Sequence, residues 1–454
     1  MKKYLFLVVL LFAVVCSAAE KPKYLFLFIG DGMSVPQRMI GEEFARTRGE
    51  TLVMNHMPFS AATRTSSASS LVTDSAAAAT AIACGVKTHN GKLGVDTGGK
   101  KIESMAEVAK KNGYKVGIIT SVNLNHATPG GFYAHRKSRG EGYNIGLDMV
   151  NSNFDFFAGG DLFGRNDKKN PNYKGDIMEL ARKSGYKVVC GADGLKSLTA
   201  ADKKAVMHSK SGRITAALDG GDPGADLHDM VAKGIELLEG PNGFFMMVEG
   251  GAIDWAGHAN DAAENLHELL AFDKAIRVAV KFAEKHPAET LIVVTGDHET
   301  GGMTMGFAGS GYNLWVDRLA NQKVTIGKFA HILKEANKDR KLSFEEVKPL
   351  LTEYFGFRFE GKSPMTLKAK EIQYLEKEYA KGKLPAAVRR TISGKAGVGW
   401  TSGAHTALPV LTTASGCGAE NFSGFIDNTD IAKKFKTLMT PAETKGFWEK
   451  IISF

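Results

Sequence analysis

Short, continuous apolar runs recur along the chain at wide intervals. Four of them, at 24–29, 114–120, 244–248 and 291–295, lack the alternation of a half-exposed strand and are bounded by glycine or polar residues. A fifth run, LPVLTTA, begins just after His405. This pattern predicts strands that are buried on both faces of a sheet.

Helical patterns lie between these runs. Apolar residues recur with helical spacing over 102–113, 175–185 and 265–285. Alternation of strands and helices predicts an α/β fold, a doubly wound, mostly parallel sheet flanked by helices. One catalytic domain is expected over 20–454.

The segment from about 310 to 395 differs from the rest of the chain. It is richer in lysine and glutamate and contains helical stretches such as LSFEEVKPLLTEYF. Because it separates the fourth predicted strand from His405, we interpret it as an inserted subdomain.

Acidic residues follow the predicted strands where those strands end. Asp31 follows the first strand, Glu249 the third, and Asp297 and His298 the fourth. Ligands bind outside the carboxyl ends of the strands in sheets of this kind. Each acid alone also suits a helix cap, but together they indicate a metal site.

The stretch EGGAIDWAGHAND adds two further candidate ligands. Asp254 and His258 are four residues apart, so a helical turn would place both on one face. His405, in TSGAHTA, is another candidate, although a lone histidine is more often an ordinary polar group. Zinc accepts such mixed nitrogen and oxygen ligands.

Ser75 stands at the start of an alanine-rich helical pattern, VTDSAAAATA. Asp74 and Ser75 both suit a helix N-cap, and alanine is the best helix former. A catalytic serine needs activation. No histidine is near Ser75 in sequence, so activation would come from a base that the fold supplies or from zinc.

The first nineteen residues have the features of a secretory signal peptide. Lys2 and Lys3 precede an apolar run that is too short to span a bilayer comfortably, and small residues follow it. Cys16 raises the question of lipidation, but the bulky Val15 before it argues against this. We therefore expect a secreted protein without a membrane span, and the periplasm is the expected location.

The charge and cysteine content exclude some classes of protein. The formal net charge is +9, and +7 without Lys2 and Lys3, with no dense basic cluster. A nucleic-acid partner is therefore not expected. Cys84, Cys190 and Cys417 are too few and too widely spaced for a disulfide framework, and they allow one internal bridge at most.

Six motifs in order along most of the chain resemble those of the alkaline phosphatase family. They are GDGMS at Asp31, TDSAAAAT at Ser75, NHATPGGFYAHRKSR from Asn125 to Arg139, EGGAIDWAGH, TGDHETGG and SGAHT.

The resemblance implies two zinc ions, a third metal that is usually magnesium, and a homodimer. It implies that Ser75 is the phosphorylated nucleophile and that Arg139 holds two phosphate oxygens. The ligands that it implies are Asp254, His258 and His405 for the first zinc, Asp31, Asp297 and His298 for the second, and Glu249 and Thr128, with Asp31 bridging, for the third metal.

Two positions depart from the best-known bacterial pattern of this family. His126 stands where that pattern has an aspartate beside the third metal, as in animal members. Trp255 stands where it has a lysine near the substrate phosphate. Both departures concern residues that surround the metals or contact the substrate, and Asp74 is a further candidate for such a contact. They leave the identity of the third metal open.

The sequence therefore predicts a metal-dependent hydrolase of small phosphomonoesters. The alternatives are a phosphodiesterase or sulfatase of the same superfamily and a non-catalytic phosphate- or zinc-binding protein. Glu249, Thr128 and Arg139 together favour a monoesterase, because a dianionic phosphate needs more positive charge than a diester. Retention of Ser75 argues against a pure binder.

Overall fold

The computed structural model describes residues 21–440. A mixed ten-stranded sheet forms its centre, in the order β14-β2-β13-β8-β1-β7-β3-β4-β6-β5, and β9 to β12 form two small ladders, β9 with β12 and β10 with β11. The strands are β1 Tyr24–Gly30, β2 Phe59–Arg64, β3 Lys115–Asn123, β4 Phe156–Gly160, β5 Lys187–Cys190, β6 Ala205–His208, β7 Phe244–Gly250, β8 Thr290–Gly296, β9 Glu299–Thr300, β10 Met303–Met305, β11 Val398–Trp400, β12 His405–Thr406, β13 Val410–Gly416 and β14 Gly424–Asp427.

Fifteen α-helices connect or flank these strands within the described residues. They are α1 Val35–Arg46, α2 Ser75–Cys84, α3 Met105–Lys111, α4 Ala127–Gly130, α5 Gly142–Asn151, α6 Ile177–Lys183, α7 Gly191–Lys196, α8 Leu227–Leu238, α9 Ala252–Ala259, α10 Ala262–Ala283, α11 Ile326–Ala336, α12 Phe344–Phe355, α13 Ala369–Ala380, α14 Leu384–Ala396 and α15 Asn428–Met439. Short 3-10 turns lie at Val53–Asn55, Ala217–Asp219, Val316–Asn321 and Ala419–Asn421.

Helices cover both faces of the sheet, and the side chains of β1 divide between the two layers. Leu25, Leu27 and Ile29 pack into a core shared with α2, α3 and α15. Tyr24, Phe26 and Phe28 point the other way, into a core shared with α8 and α10. Because both faces are buried, the strand is apolar throughout, as expected for a central parallel strand. The predicted α/β, doubly wound fold is confirmed.

The register of the three central strands determines where the polar residues lie. Gly30 of β1 is level with Gly250 of parallel β7 and with Gly296 of parallel β8. All three strands therefore end together, and the residues that follow them meet at one edge. Glu249, which the sequence analysis places after its strand, is the second-last residue of β7.

The fifth predicted strand, β13, runs antiparallel to both β8 and β2. The sequence analysis misses five strands of the large sheet, namely β2, β4, β5, β6 and β14. Each has four to six residues. Their short, partly polar sequences, such as FSAATR and GFID, carry too little pattern to distinguish a strand from a loop.

Helices α11 to α14 fall in the segment for which the sequence predicts an insertion. Their apolar side chains, including Phe329, Val347 and Ile392, form a cluster separate from the two layers of the sheet. A buried carboxylate, Asp261, connects this segment to the start of α10. Its oxygens accept hydrogen bonds from Gln322 Nε2 at 2.9 and 3.0 Å and from the Ile326 amide at 3.0 Å.

Between residues 21 and 440, the structure contains no helix with the length and apolar character that crossing a bilayer requires. Cys84 is a buried thiol and Cys190 an exposed one, and neither is joined to Cys417. Burial raises the pKa of the Cys84 thiol to about 12. The predicted signal peptide, with Cys16, lies outside the described residues.

Replacement of Asp261 by alanine should lower the free energy of unfolding by about 3 kcal/mol. The Ile326 and Glu264 amides lose their acceptor, and Gln322 Nε2 keeps only the Val324 carbonyl. Urea denaturation measures this loss. The matched control is Asp176→Ala, which removes an N-cap on α6 with no bond to the insertion and should cost about 1 kcal/mol. Equal losses in the two variants would contradict a connecting role for Asp261.

Candidate active site

The ends of β1 and β8 form the first group of candidate ligands. His298 Nε2 lies 3.3 Å from Asp31 Oδ1 and 3.1 Å from Asp297 Oδ2, and all three side chains are buried. The amides of Gly32 and His298 donate to Asp297 Oδ1 at 3.0 and 2.9 Å. This carboxylate is therefore held through one oxygen, while the other faces the histidine.

The second group consists of Asp254, His258 and His405. Asp254 and His258 lie one turn apart in α9, as predicted, with His258 Nε2 3.4 Å from Asp254 Oδ2. His405 Nε2 lies 3.2 Å from His258 Nε2 and 3.5 Å from Asp254 Oδ1. The antiparallel pairing of β12 with β9, which places His405 opposite Thr300, brings this histidine to the site.

His298 lies between the two groups. Its ring stacks on that of His405 with 3.6 Å between centroids. The ligand atoms of Asp254, His298 and His405 lie within 4.8 Å of one another, as do those of Asp31, Asp297 and His298. The two candidate cation sites are thus contiguous.

The partners of the three imidazoles determine which ring nitrogen carries the proton. His258 Nδ1 lies 2.8 Å from the Gly403 carbonyl and His405 Nδ1 lies 2.8 Å from the Thr73 carbonyl, so both Nδ1 atoms donate. Thr300 Oγ1 donates to Asp254 Oδ1 at 2.5 Å and therefore accepts from His298 Nδ1 at 3.3 Å. All three Nε2 atoms then present lone pairs to the site, as metal ligation requires.

A third group lies on the other side of Asp31. Thr128 Oγ1 donates to Asp31 Oδ2 at 3.2 Å, and His126 Nδ1 lies 3.9 Å from Asp31 Oδ2 and 3.7 Å from Glu249 Oε1. Arg139 Nη2 donates to His126 Nε2 at 3.1 Å. Because a guanidinium can only donate, the neutral His126 ring carries its proton on Nδ1. His126 thus has the same tautomer as the other three histidines, but it turns its protonated Nδ1, rather than a bare Nε2, toward the carboxylates of Asp31 and Glu249.

Electrostatics at this edge favour a bound cation. Three buried carboxylate oxygens, Asp31 Oδ1, Glu249 Oε1 and Asp297 Oδ2, find no hydrogen-bond partner, and neither does the Nδ1 of His126. Burial, followed by the charges of Asp297 and Asp254, raises the pKa of Asp31 well above its usual range. Buried carboxylates without a counter-charge are costly, so this donor set fits divalent cations.

Ser75 is the first residue of α2 and lies against the same site. Its Oγ is 3.2 Å from His298 Nε2. Asp74 is the N-cap, because Oδ1 accepts from the Ala77 amide at 3.0 Å. The buried alanines of α2 allow a close approach to α4, where a Cβ on Gly131 would stand 2.8 Å from Ala79 Cβ. Small residues therefore place Ser75 at the sheet edge.

Arg139 and Trp255 border the site. Arg139 Nη1 lies 3.3 Å from Asp74 Oδ2, so the N-cap of α2 also orients the guanidinium. The ring of Trp255 packs edge-on against His126, with centroids 6.1 Å apart. Arg213 lies over the same tryptophan, 5.5 Å from its centroid, and pairs with Glu264 and Glu268 at 3.2 Å each.

The sequence analysis misses three residues that orient this site. Thr300 bonds Asp254 and His298, Thr120 Oγ1 donates to Glu249 Oε2, and Arg213 packs on Trp255. Thr300 belongs to the TGDHETGG motif, two residues after His298, so its position in the sequence could have identified it as a neighbour of the ligands. Thr120 and Arg213 reach the site from distant segments, and nothing local marks them.

A family profile described as alkaline phosphatase matches residues 22–440. The chain belongs to the alkaline phosphatase family. It is 33% identical over 379 residues to alkaline phosphatase 4 of Bacillus subtilis, covering 81% of this chain and 77% of that protein. It is 27% identical over 442 residues to the alkaline phosphatase of Schizosaccharomyces pombe, covering 91% and 80%. The predicted family and enzyme class are confirmed.

Solved alkaline phosphatases have the same fold. The cold-active enzyme of a Shewanella species superposes with a TM-score of 0.81 at 29% identity, covering 92% of this chain and all of that one. The enzyme of Thermus thermophilus gives a TM-score of 0.75 at 26% identity, covering 92% and 90%. The enzyme of the Antarctic bacterium TAB5 gives 0.67 at 26% identity, covering 92% and 99%.

Replacement of Thr300 by valine should weaken zinc binding about 10- to 100-fold, because it removes the group that orients Asp254 and fixes the tautomer of His298. Competition with a chromophoric chelator measures the affinity. The control is Thr304→Val, a threonine of neighbouring β10 outside this network. An unchanged zinc affinity in the Thr300 variant would show that the ligands are oriented without this hydroxyl.

Proposed function

We propose that this alkaline phosphatase hydrolyses small phosphomonoesters through a phosphoserine on Ser75, with divalent cations bound at the sheet edge. The observation that carries the proposal is the contact between Ser75 Oγ and His298 Nε2 at 3.2 Å. This nitrogen also faces the buried carboxylates of Asp31 and Asp297. The hydroxyl is therefore positioned beside a candidate cation site.

The donor set supports two zinc ions. Asp254, His258 and His405 are the proposed ligands of the first, and Asp31, Asp297 and His298 of the second. Imidazole and carboxylate ligands suit zinc, and each group leaves room for a non-protein ligand. When bound, zinc stabilises developing negative charge and makes alkoxide or hydroxide available near neutral pH.

Magnesium is the proposed third metal, with Glu249 and Thr128 as ligands and Asp31 bridging. Oxygen donors suit magnesium. Two variant structures of the TAB5 enzyme, in which one histidine is replaced by aspartate or by glutamate, carry magnesium at a site named M3, at 26% identity to this chain. His126 presents a protonated Nδ1 here while Arg139 is bonded to its Nε2. While Arg139 is bonded to Nε2, His126 can therefore donate a hydrogen bond from Nδ1 to an oxygen ligand of the third metal.

Arg139 and the first turn of α2 form the proposed phosphate site. The Arg139 side chain is one-third exposed, and its Nη1 lies 3.3 Å from Oδ2 of Asp74, the N-cap of the helix that begins at Ser75. Its planar donors match two phosphate oxygens, which a lysine could not reproduce. Free amides at the start of α2 add positive character beside the incoming phosphate.

The reaction then has two displacements. Ser75 Oγ attacks phosphorus, the bond to the ester oxygen breaks, and the alcohol leaves with a proton. Water attacks the phosphoserine next, the Oγ–phosphorus bond breaks, and Ser75 regains a proton while inorganic phosphate departs. Arg139 holds the equatorial oxygens through both steps.

Export and assembly are further proposals from the sequence. The N-terminal segment supports secretion, with the periplasm as destination, and membership of the family supports a homodimer. The separate apolar cluster of α11 to α14 supports the inserted subdomain at about 310–395.

Replacement of Ser75 by alanine should lower turnover of p-nitrophenyl phosphate about 10³-fold or more, because the nucleophile is lost while the ligands remain. Acid quenching during turnover, followed by mass spectrometry, should find phosphate on the peptide that contains Ser75. The control is Ser67→Ala, a half-buried serine of the preceding loop. Full turnover by the Ser75 variant would overturn the proposed nucleophile.

Chelation should abolish hydrolysis of p-nitrophenyl phosphate at alkaline pH, since the buried carboxylates lose their counter-charge. Zinc should restore turnover, and magnesium should raise it further. Restoration by zinc alone would contradict magnesium at the third site. Preference for bis-p-nitrophenyl phosphate would instead support the diesterase alternative, and phosphate binding without turnover would support a binding protein.

A further inference from the structure

Buried polar side-chain atoms without a partner gather at two places in residues 21–440. Four of the nine such atoms belong to the candidate active site. Three others, Arg389 Nε, Ser393 Oγ and Trp400 Nε1, belong to residues that line one separate cavity. Such atoms are rare in native proteins because each costs desolvation energy, so a cluster of them points to a missing partner.

The cavity lies between α14 of the insertion and β11. Its volume is about 370 Å³, within the range of sites for small organic molecules. Arg389 and Ser393 are one turn apart in α14 and so face the same side. Trp400 forms the opposite wall, and Phe307 and Asn260 complete the rim.

The chemistry of this cavity is the opposite of that of the active site. Its unpartnered atoms include a guanidinium and an indole N–H, which only donate, and a hydroxyl, which can donate. Arg390 adds a second guanidinium, and no carboxylate belongs to the lining. Neither arginine has an acidic partner within 4 Å among the described residues.

The positive charge of Arg389 is poorly compensated. Burial is the main reason that the pKa of this guanidinium is lowered, and the neighbouring charge of Arg390 acts in the same direction. The charges of Asp261 and Tyr374 oppose them, and the oxygens of Asp261 already accept bonds from Gln322 and Ile326. Ser393 is only 3% exposed, so bulk water does not satisfy its hydroxyl.

We propose that this cavity is a second ligand site, which binds a small organic phosphate that carries a planar ring. The two guanidinium groups, Ser393 Oγ and Trp400 Nε1 contact the phosphate oxygens. The rings of Trp400 and Phe307 provide apolar walls for the organic part, and the volume accommodates more than a bare ion. None of the lining residues belongs to the proposed metal, nucleophile or phosphate groups of the active site.

Phenylphosphonate is a suitable probe, because its carbon–phosphorus bond is not a phosphoester and it has both features of the proposed ligand. Isothermal titration of the metal-loaded enzyme should give two sites per chain. Arg389→Gln should weaken the second site at least 10-fold, and kcat/KM for p-nitrophenyl phosphate should stay within two-fold. Arg139→Gln should weaken the other site and leave this one intact.

Arg358→Gln, an exposed arginine of the insertion outside the cavity, is the matched control and should retain both sites. The exposed Arg390→Gln provides a second variant with little risk to folding, and it should also weaken the second site. One site per chain in the unaltered enzyme would overturn the proposal. Equal affinity of the second site for inorganic phosphate would overturn the assignment of a ring-bearing ligand.

Discussion

The common end point of β1, β7 and β8 is the constraint on which the rest of the molecule depends. Gly30, Gly250 and Gly296 are level across three parallel strands. The carboxylates beside them are consequently forced together in a buried place where their charges repel. The two amides on Asp297 and the hydroxyl on Glu249 limit this repulsion without removing it.

The nucleophile and the phosphate-binding arginine depend on this edge through one helix. Asp74 caps α2 with one carboxylate oxygen and orients Arg139 with the other. Ser75 follows at once, so the start of a single helix places the attacking atom and the guanidinium relative to each other. Buried alanines allow that helix to approach the sheet, which explains why so plain a sequence surrounds the serine.

The sequence predicts the parts of the fold whose pattern is local. The apolar runs of the central strands identify the two-sided sheet, and the position of Asp31, Asp297 and His298 after their strands identifies its active edge. Short strands such as β5 and β14 lack such a pattern. The contact between His298 and Ser75 and the packing of Arg213 on Trp255 depend on segments far apart in the chain, so no local rule reports them.

The same argument applies to the cavity at α14. Arg389 and Ser393 have the spacing of an ordinary helix face, and Trp400 alone reads as a buried aromatic residue. Only the packing of the insertion against β11 shows that three residues with unpartnered polar atoms line one cavity. Tertiary structure therefore distinguishes the acceptors at the sheet edge, which suit cations, from the donors around the α14 cavity, which suit anions.

The orientation of the histidines has a consequence for how the site tolerates genetic change. His258 and His405 are held by the main-chain carbonyls of Gly403 and Thr73, which every amino acid possesses. Substitution of Gly403 or Thr73 leaves these carbonyl oxygens in place, so neither residue need be invariant among related proteins. His298 relies on a side chain, that of Thr300. A comparison of related sequences would therefore reveal Thr300 as a conserved side chain. The carbonyls that orient His258 and His405 would be conserved only as the backbone conformation of their loops.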